Sequence, residues 1–229
     1  MSKPDSRNTW MIPGAFFLLC VIANLTGKMI NPAMANFTKA ALLPLLAFTT
    51  LTAAAERGIE PRILRYLMLA QLFGCTGDVL LIFNGFLPFI GGMVSFLIGH
   101  IFYLLIFGGK SWKGFGWKQW VPAIVAIEAI VGALLYFIGV EGDLLVPMIV
   151  YANMLMLLIF SAAAGLVRFG GKTWWIILCG AVIFTISDSL IAIGVFNEDA
   201  PKLNDFFVMF TYIVAQVLLA IGTLRLYRR

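Results

Sequence analysis

Eight apolar runs, each close to the ~20 residues that a helix needs to cross a bilayer, constrain this chain more than any motif does. They lie at Trp10 to Thr26, Phe37 to Ala55, Leu64 to Phe83, Phe86 to Phe107, Val121 to Ile138, Leu144 to Leu166, Trp174 to Ile193 and Phe206 to Leu226. Because 62% of the residues are hydrophobic and 12% are charged, an ordinary soluble domain is excluded. The sequence predicts an all-α integral membrane protein, an eight-transmembrane-helix bundle that forms a single domain over residues 1–229.

The basic residues predict an orientation for the bundle. If the eight spans alternate, Lys28, Lys39 and Lys202 fall on one side, and the remaining 13 of the 16 lysines and arginines fall on the other. Lys and Arg concentrate in cytoplasmic loops, so both the N and C termini are predicted to be cytoplasmic. The net charge of +5 then lies near anionic lipid headgroups, and it does not indicate nucleic-acid binding.

Two aspartates lie inside the apolar runs, where an unpaired carboxylate costs several kcal/mol. Asp78 lies in Gly-Cys-Thr-Gly-Asp-Val-Leu-Leu-Ile and Asp188 in Phe-Thr-Ile-Ser-Asp-Ser-Leu-Ile-Ala. Each comes five residues before the end of its run, so both are expected ~7 Å below the outer helix ends. Because acids inside a membrane generally serve function, these two are the first candidates for functional residues. The alternative, a buried acid that locks the bundle through Ser or Lys, stays open for either.

Polar residues on neighbouring spans predict a pocket at the same level. The side chain of Lys39 can either snorkel to the interface or pair with an aspartate. Tyr212 and Gln216 are four residues apart and share a helix face. The predicted substrate-binding residues are Lys39, Tyr151, Asn153, Ser187, Tyr212 and Gln216. His100 and Glu128 lie nearer the middle of their spans, and we assign them to packing of the bundle or to support behind the site.

Two further patterns bear on the architecture and on cofactors. The surroundings of Asp78 and Asp188 resemble one another and are separated by four helices, so a parallel 4+4 repeat that places the acids on opposite walls of one cavity is an open interpretation. The single histidine excludes a His-rich zinc site, and the sequence has no nucleotide-binding or serine-hydrolase motif. We therefore predict no metal and no cofactor, and a metal site made only from carboxylates stays open as the alternative.

Four stretches in a fixed order carry a family resemblance: Gly77-Asp78 with trailing leucines, Phe96-Leu97-Ile98-Gly99-His100-Ile101-Phe102-Tyr103, Ser187-Asp188-Ser189-Leu190-Ile191-Ala192, and Thr211-Tyr212 with Ala215-Gln216. Together with Lys39 and Pro44, they make the chain resemble the YhhN family of membrane lysoplasmalogenases from about Lys39 to Gly222. The resemblance implies hydrolysis of the vinyl ether bond of lysoplasmalogens, giving a fatty aldehyde and glycerophosphoethanolamine or glycerophosphocholine. It implies a lysophospholipid substrate taken from the bilayer, and we expect a multi-pass protein of the bacterial inner membrane.

The residues suit that chemistry independently. A vinyl ether is hydrolysed by protonation of its β-carbon, which creates an oxocarbenium ion that water captures. Two carboxyls in different environments can supply the acid and a nearby negative charge, as in glycosidases. We assign the general acid to Asp188 and the ionised partner, steadied by Lys39, to Asp78; the reverse assignment stays open. The alternative function is a proton-coupled transporter or lipid-binding membrane protein that uses the same aspartates. The oligomeric state is left open.

Overall fold

The computed structural model describes residues 8–197, 201 and 203–228. Within these residues there is no β-strand, and a short 3₁₀ helix at Gly142–Leu144 precedes the sixth α-helix. The α-helices are α1 Met11–Ile30, α2 Pro32–Arg57, α3 Pro61–Leu80, α4 Phe86–Ser111, α5 Trp117–Ile138, α6 Leu145–Phe169, α7 Gly171–Phe196 and α8 Asn204–Leu226. All eight described helices are long and apolar enough to cross a membrane, which confirms the predicted multi-pass, all-α class.

Local sequence signals set the connections between the first helices. The side chain of Asn31 accepts a hydrogen bond from the backbone N–H of Met34, and Pro32 occupies the first turn of α2. The backbone N–H groups of the first helical turn have no partner within the helix. The Asn31 side chain bonds to one of them, and Pro32 has no backbone N–H that needs a partner. Gly58 ends α2 with a φ of +63°, a conformation that favours glycine. Pro61 then opens α3.

The helix ends differ from the ends of the apolar runs at both aspartates. α3 ends at Leu80, two residues after Asp78, whereas α7 continues to Phe196, eight residues after Asp188. At 1.5 Å per residue, the aspartates therefore lie about 3 and 12 Å from the C-terminal ends of their helices. The expectation of equal offsets from the helix ends is wrong. Apolar residues continue past Leu80 in a turn, so an apolar run does not show where helical hydrogen bonding stops.

The chain divides into two compact units, and each is described by itself. The first comprises the described residues up to Phe102 together with those from Ala220 onward, and the second comprises Tyr103–Leu219. In the first unit, α2 packs against α1 and α3. In the second unit, α6 packs against α5 and α7.

A close contact between α1 and α2 fixes the start of α2 in the first unit. Asn24 of α1 is fully buried, and its amide donates to the carbonyl of Ala35 at 2.8 Å and to Oγ1 of Thr38 at 3.1 Å. Gly27 permits this approach, because a Cβ added there would lie 2.7 Å from the backbone nitrogen of Ala35. This contact fixes the part of α2 that carries Lys39.

The predicted orientation of the bundle, with cytoplasmic termini, can be tested with reporter proteins inserted into the loops. The tails and the end of the α7–α8 connection, which carry Lys3, Arg7, Glu198, Asp199, Lys202 and Arg229, lie outside the described residues. We therefore place the reporters at Asn84, between α3 and α4, and at Gly114, between α4 and α5. Alternating spans with cytoplasmic termini predict active alkaline phosphatase at Asn84 and fluorescent green fluorescent protein at Gly114. The same compartment for both positions would contradict the predicted orientation.

Candidate active site

Asp78 lies on the buried face of α3 in the first unit, next to a lysine of α2. The side chain of Asp78 is 3% exposed and that of Lys39 is 11% exposed. Nζ of Lys39 lies 3.8 Å from Oδ1 of Asp78, which makes an ion pair. Of the two alternatives for Lys39, snorkelling and pairing, the structure therefore shows pairing. A buried ion pair needs both partners, since removal of one leaves an uncompensated charge.

The contacts on either side of Lys39 hold this ion pair in place. Sγ of Cys75, one turn before Asp78 on α3, lies 3.7 Å from the carbonyl oxygen of Ala40. Thr38, on the other side of Lys39, accepts the hydrogen bond from Asn24 of α1. Neighbouring residues of α3 thus face neighbouring residues of α2, while α1 fixes α2 from another side.

Gly77 allows α4 to pack beside Asp78. A Cβ added at Gly77 would lie 2.8 Å from the ring of Phe96. The carbonyl oxygen of Phe96 lies 2.7 Å from Nδ1 of buried His100, and because a carbonyl only accepts, Nδ1 carries the proton. The residue's own helix therefore orients the His100 ring.

Asp188 has a different partner in the second unit. Tyr151 of α6 donates its hydroxyl hydrogen bond to Oδ2 of Asp188 on α7. Tyr151 is 7% exposed and Asp188 is 8% exposed, so the bond lies inside the unit. A buried tyrosine hydroxyl usually has a hydrogen-bond partner, whereas an interfacial tyrosine keeps its hydroxyl near water. Tyr151 is therefore a partner of Asp188 and not an interfacial anchor.

Helix α8 packs along the turn of α7 that precedes Asp188. Oγ of buried Ser187 donates to the carbonyl of Val208 at 3.0 Å. The ring of Tyr212 meets that of Phe184 edge to face, with centroids 5.6 Å apart, and Phe184 lies one turn before Asp188. Ser187 and Tyr212 therefore fix α7 against α8 around Asp188.

Two polar residues that the sequence interpretation did not include lie in the same unit. Buried Tyr103 donates its hydroxyl hydrogen bond to Oε1 of buried Gln216 at 2.8 Å. Asn204, the first residue of α8, donates to the carbonyl of Leu190 at 2.9 Å, and its own Oδ1 is buried with no partner among the described residues. Tyr103 is the last residue of one of the stretches that resemble the family, and this position could have identified it from the sequence. Asn204 lies between two apolar runs, and no other feature of the sequence pointed to it.

Asn153 and Glu128 contact each other and not the Tyr151–Asp188 pair of the same unit. Asn153 comes two residues after Tyr151, so it points about 200° away around α6. Its Nδ2 lies 3.5 Å from Oε2 of Glu128 on α5, and Glu128 is exposed. These two residues contact each other on the α5–α6 surface.

The two aspartates therefore have partners of different charge. Lys39 supplies a positive charge that balances an Asp78 carboxylate, whereas Tyr151 supplies Asp188 with a hydrogen bond and no charge. Within the described ranges, no group of three His, Cys, Asp or Glu side chains could hold a metal ion. The chemistry available from these residues is proton transfer together with stabilisation of a positive charge.

Comparisons with known proteins match most of the chain to one family. The model of the YhhN family matches residues 34–223. Human lysoplasmalogenase TMEM86B is 28% identical over 159 residues, which are 68% of this chain and 62% of the relative. Human lysoplasmalogenase TMEM86A is 31% identical over 155 residues, 66% of this chain. The chain thus spans 62% of the length of each human relative. No solved structure matches the chain.

Proposed function

This chain belongs to the YhhN family, and we propose that it is a lysoplasmalogenase. The reaction is hydrolysis of the vinyl ether bond of a lysoplasmalogen, and the products are a fatty aldehyde and glycerophosphoethanolamine or glycerophosphocholine. The names of the relatives support the reaction class. The observation that carries the proposal is the pair of buried carboxyls with unlike partners, a lysine at Asp78 and a phenol at Asp188.

Asp188 is the proposed general acid. Its carboxyl transfers a proton to the β-carbon of the vinyl ether, and the double-bond electrons form the new C–H bond. The α-carbon and the ether oxygen then share the positive charge of an oxocarbenium ion. The hydrogen bond from Tyr151 stabilises the carboxylate that the transfer leaves on Asp188. General acid catalysis of this kind contributes about 10²- to 10⁴-fold in rate.

Asp78 is the proposed source of the negative charge that stabilises the oxocarbenium ion. The positive charge of Lys39 compensates the buried carboxylate of Asp78. Water then adds to the α-carbon, and its proton passes to the Asp188 carboxylate, which regenerates the acid. The hemiacetal then loses its hydroxyl proton and breaks its bond to the glycerol oxygen, which takes up a proton, so that the aldehyde and the alcohol are released. No cofactor takes part in the proposed sequence.

Binding of the substrate is assigned to the polar residues of the second unit. Tyr212 and Gln216 are proposed to hold the water and the glycerol oxygens, and Tyr103 fixes the amide of Gln216. Ser187 sets the position of α8 beside Asp188 through its bond to Val208. Asn204 is added to this set because its buried Oδ1 can accept a hydrogen bond. Apolar side chains of the helices hold the aliphatic chain.

The assay uses two lipids that differ only at the ether. Purified protein is incubated with a lysoplasmalogen and, separately, with the saturated alkyl-ether lysophospholipid of the same headgroup and chain length. We expect free aldehyde from the first lipid alone, because the second has no double bond to protonate. Absence of aldehyde from the lysoplasmalogen would overturn the proposed function and leave the transporter alternative.

Deuterium labelling tests the chemical step. In D₂O, the acid carries a solvent-derived deuteron, so the aldehyde should contain one deuterium on the carbon next to the carbonyl and the reaction should be slower than in H₂O. Mass spectrometry of the aldehyde at early times measures this. Authentic aldehyde incubated with the protein in D₂O controls for exchange after release. An enzymatic aldehyde without carbon-bound deuterium would contradict protonation of the β-carbon.

A further inference from the structure

The side-chain amide of Asn204 has one bonded atom and one buried atom that lacks a partner. Its Nδ2 donates to the carbonyl of Leu190 on α7 at 2.9 Å. Because a carbonyl only accepts, this bond fixes which atom of the amide is the nitrogen. Asn204 is 8% exposed, and its Oδ1 is buried with no hydrogen-bond partner among the residues that the structure describes. A buried acceptor without a donor is costly, so this atom requires a donor from outside the described chain.

The position of Asn204 places this acceptor between the proposed acid and the end of α7. Leu190, whose carbonyl accepts from Asn204, comes two residues after Asp188, which is about 3 Å further along the helix. Gly194 faces the same amide, because a Cβ added there would lie 2.8 Å from Nδ2 of Asn204. Asn204 is also the first residue of α8. The acceptor therefore lies nearer the helix ends than Asp188 does.

A lysoplasmalogen in a bilayer presents its groups in the same order. Its glycerol lies in the interfacial region, and its aliphatic chain, which begins at the vinyl ether, extends into the hydrocarbon core. A lipid with its vinyl ether at Asp188 therefore has its glycerol nearer the end of α7. That glycerol carries a free hydroxyl at its sn-2 carbon, two carbons away from the ether oxygen. A plasmalogen with both chains has an ester at this carbon and no donor.

We propose that Oδ1 of Asn204 accepts a hydrogen bond from the sn-2 hydroxyl of the substrate, so that Asn204 selects lipids with one chain. The inference rests on the proposed function, because the reaction at Asp188 sets where the glycerol lies. Ethanolamine and choline lipids share the sn-2 hydroxyl, so this selection does not depend on the headgroup. A site built to bond a hydroxyl rejects the analogue that lacks it, because the polar group of the protein then stays unpaired.

Two lipids that differ only at the sn-2 carbon test the assignment. Both carry the same vinyl ether, chain and headgroup, but one has the hydroxyl and the other has hydrogen in its place. We expect kcat/KM of the wild type to be about 5- to 150-fold higher for the hydroxyl lipid, the range for one buried neutral group left unpaired. Asn204→Leu has no acceptor and should bring the ratio close to 1. Aldehyde release from both lipids is measured in one preparation, so the amount of folded protein cancels from the ratio.

A pair of glycine variants tests the position of the amide in protein that keeps Asn204. The Cβ of Gly194→Ala would lie 2.8 Å from Nδ2, so the amide has to shift and the preference for the hydroxyl lipid should fall. Gly132→Ala on α5 is the matched control, because its Cβ meets nothing within 4 Å. We expect this control to keep the wild-type ratio.

The outcomes separate this inference from the proposed function. Equal kcat/KM for the two lipids in the wild type would overturn the inference and leave the hydrolase activity in place. An unchanged preference in Asn204→Leu, or in Gly194→Ala where the leucine variant does not fold, would overturn it as well, because another residue would then bind the hydroxyl. Absence of aldehyde from both lipids would overturn the proposed function, and the inference with it.

Discussion

Asp188→Asn should fold and insert normally but turn over lysoplasmalogen at least 10²- to 10⁴-fold more slowly than the wild type. Asparagine keeps the size of the aspartate and can still accept the hydrogen bond from Tyr151, but it has no acidic proton to give to the β-carbon. The loss should appear in kcat, since the interaction removed acts in the transition state. Aldehyde release at saturating substrate, in protein shown to be monodisperse and helical, measures the effect.

Tyr151→Phe and Tyr136→Phe provide the matched comparison for this result. Tyr151→Phe removes one hydroxyl from the hydrogen bond to Asp188, and we expect a loss of about 10- to 100-fold, the range for a hydrogen bond to a charged group. Tyr136 is 83% exposed on α5, so the same change there should leave turnover unaltered. Near-normal turnover of Asp188→Asn would instead reduce Asp188 to a packing residue and place the acid elsewhere.

The spans were predictable from the sequence, whereas the helix ends were not. A bilayer requires about twenty apolar residues per span, and composition reveals such runs directly. A helix end depends on local hydrogen bonding, which apolar residues do not report. α3 therefore stops at Leu80 although apolar residues continue to Phe83, and α7 continues past Ile193 to Phe196.

The charged residues of the candidate site could be predicted from the sequence, because a charged residue stands out in an apolar run. The neutral residues were harder to predict. Asp78 and Asp188 stand out because a carboxyl among apolar residues requires a reason. The sequence could not decide whether Lys39 snorkels to the interface or pairs with an aspartate, because the direction of its side chain depends on which helix packs beside it. Tyr103 was missed because a tyrosine fits an apolar run without penalty. Asn153 was grouped with Tyr151 by its depth alone, although two residues along a helix point to different faces.

Single substitutions in the Lys39–Asp78 pair should damage both stability and turnover. Asp78→Asn leaves Lys39 buried without its counter-charge, and Lys39→Met does the same to Asp78. Removal of one member of a buried ion pair costs about 3–5 kcal/mol. The negative charge proposed to stabilise the oxocarbenium ion is absent in Asp78→Asn, so kcat should also fall by at least 10²-fold, by analogy with paired carboxylates in glycosidases. Unfolding in mixed micelles and aldehyde release measure the two effects.

The combined variant Lys39→Met/Asp78→Asn separates the structural contribution of the pair from its chemical one. Both charges are then gone, and replacement of a buried ion pair by neutral residues is often close to neutral for stability. We expect the double variant to recover stability while its turnover stays as low as that of Asp78→Asn. Recovery of turnover along with stability would show that the pair only supports the bundle.

Combining Asp78→Asn with Asp188→Asn should give a rate scarcely below the slower single variant, because groups that act in one step are strongly non-additive. Independent, multiplying losses would instead mean that the two carboxyls serve different steps.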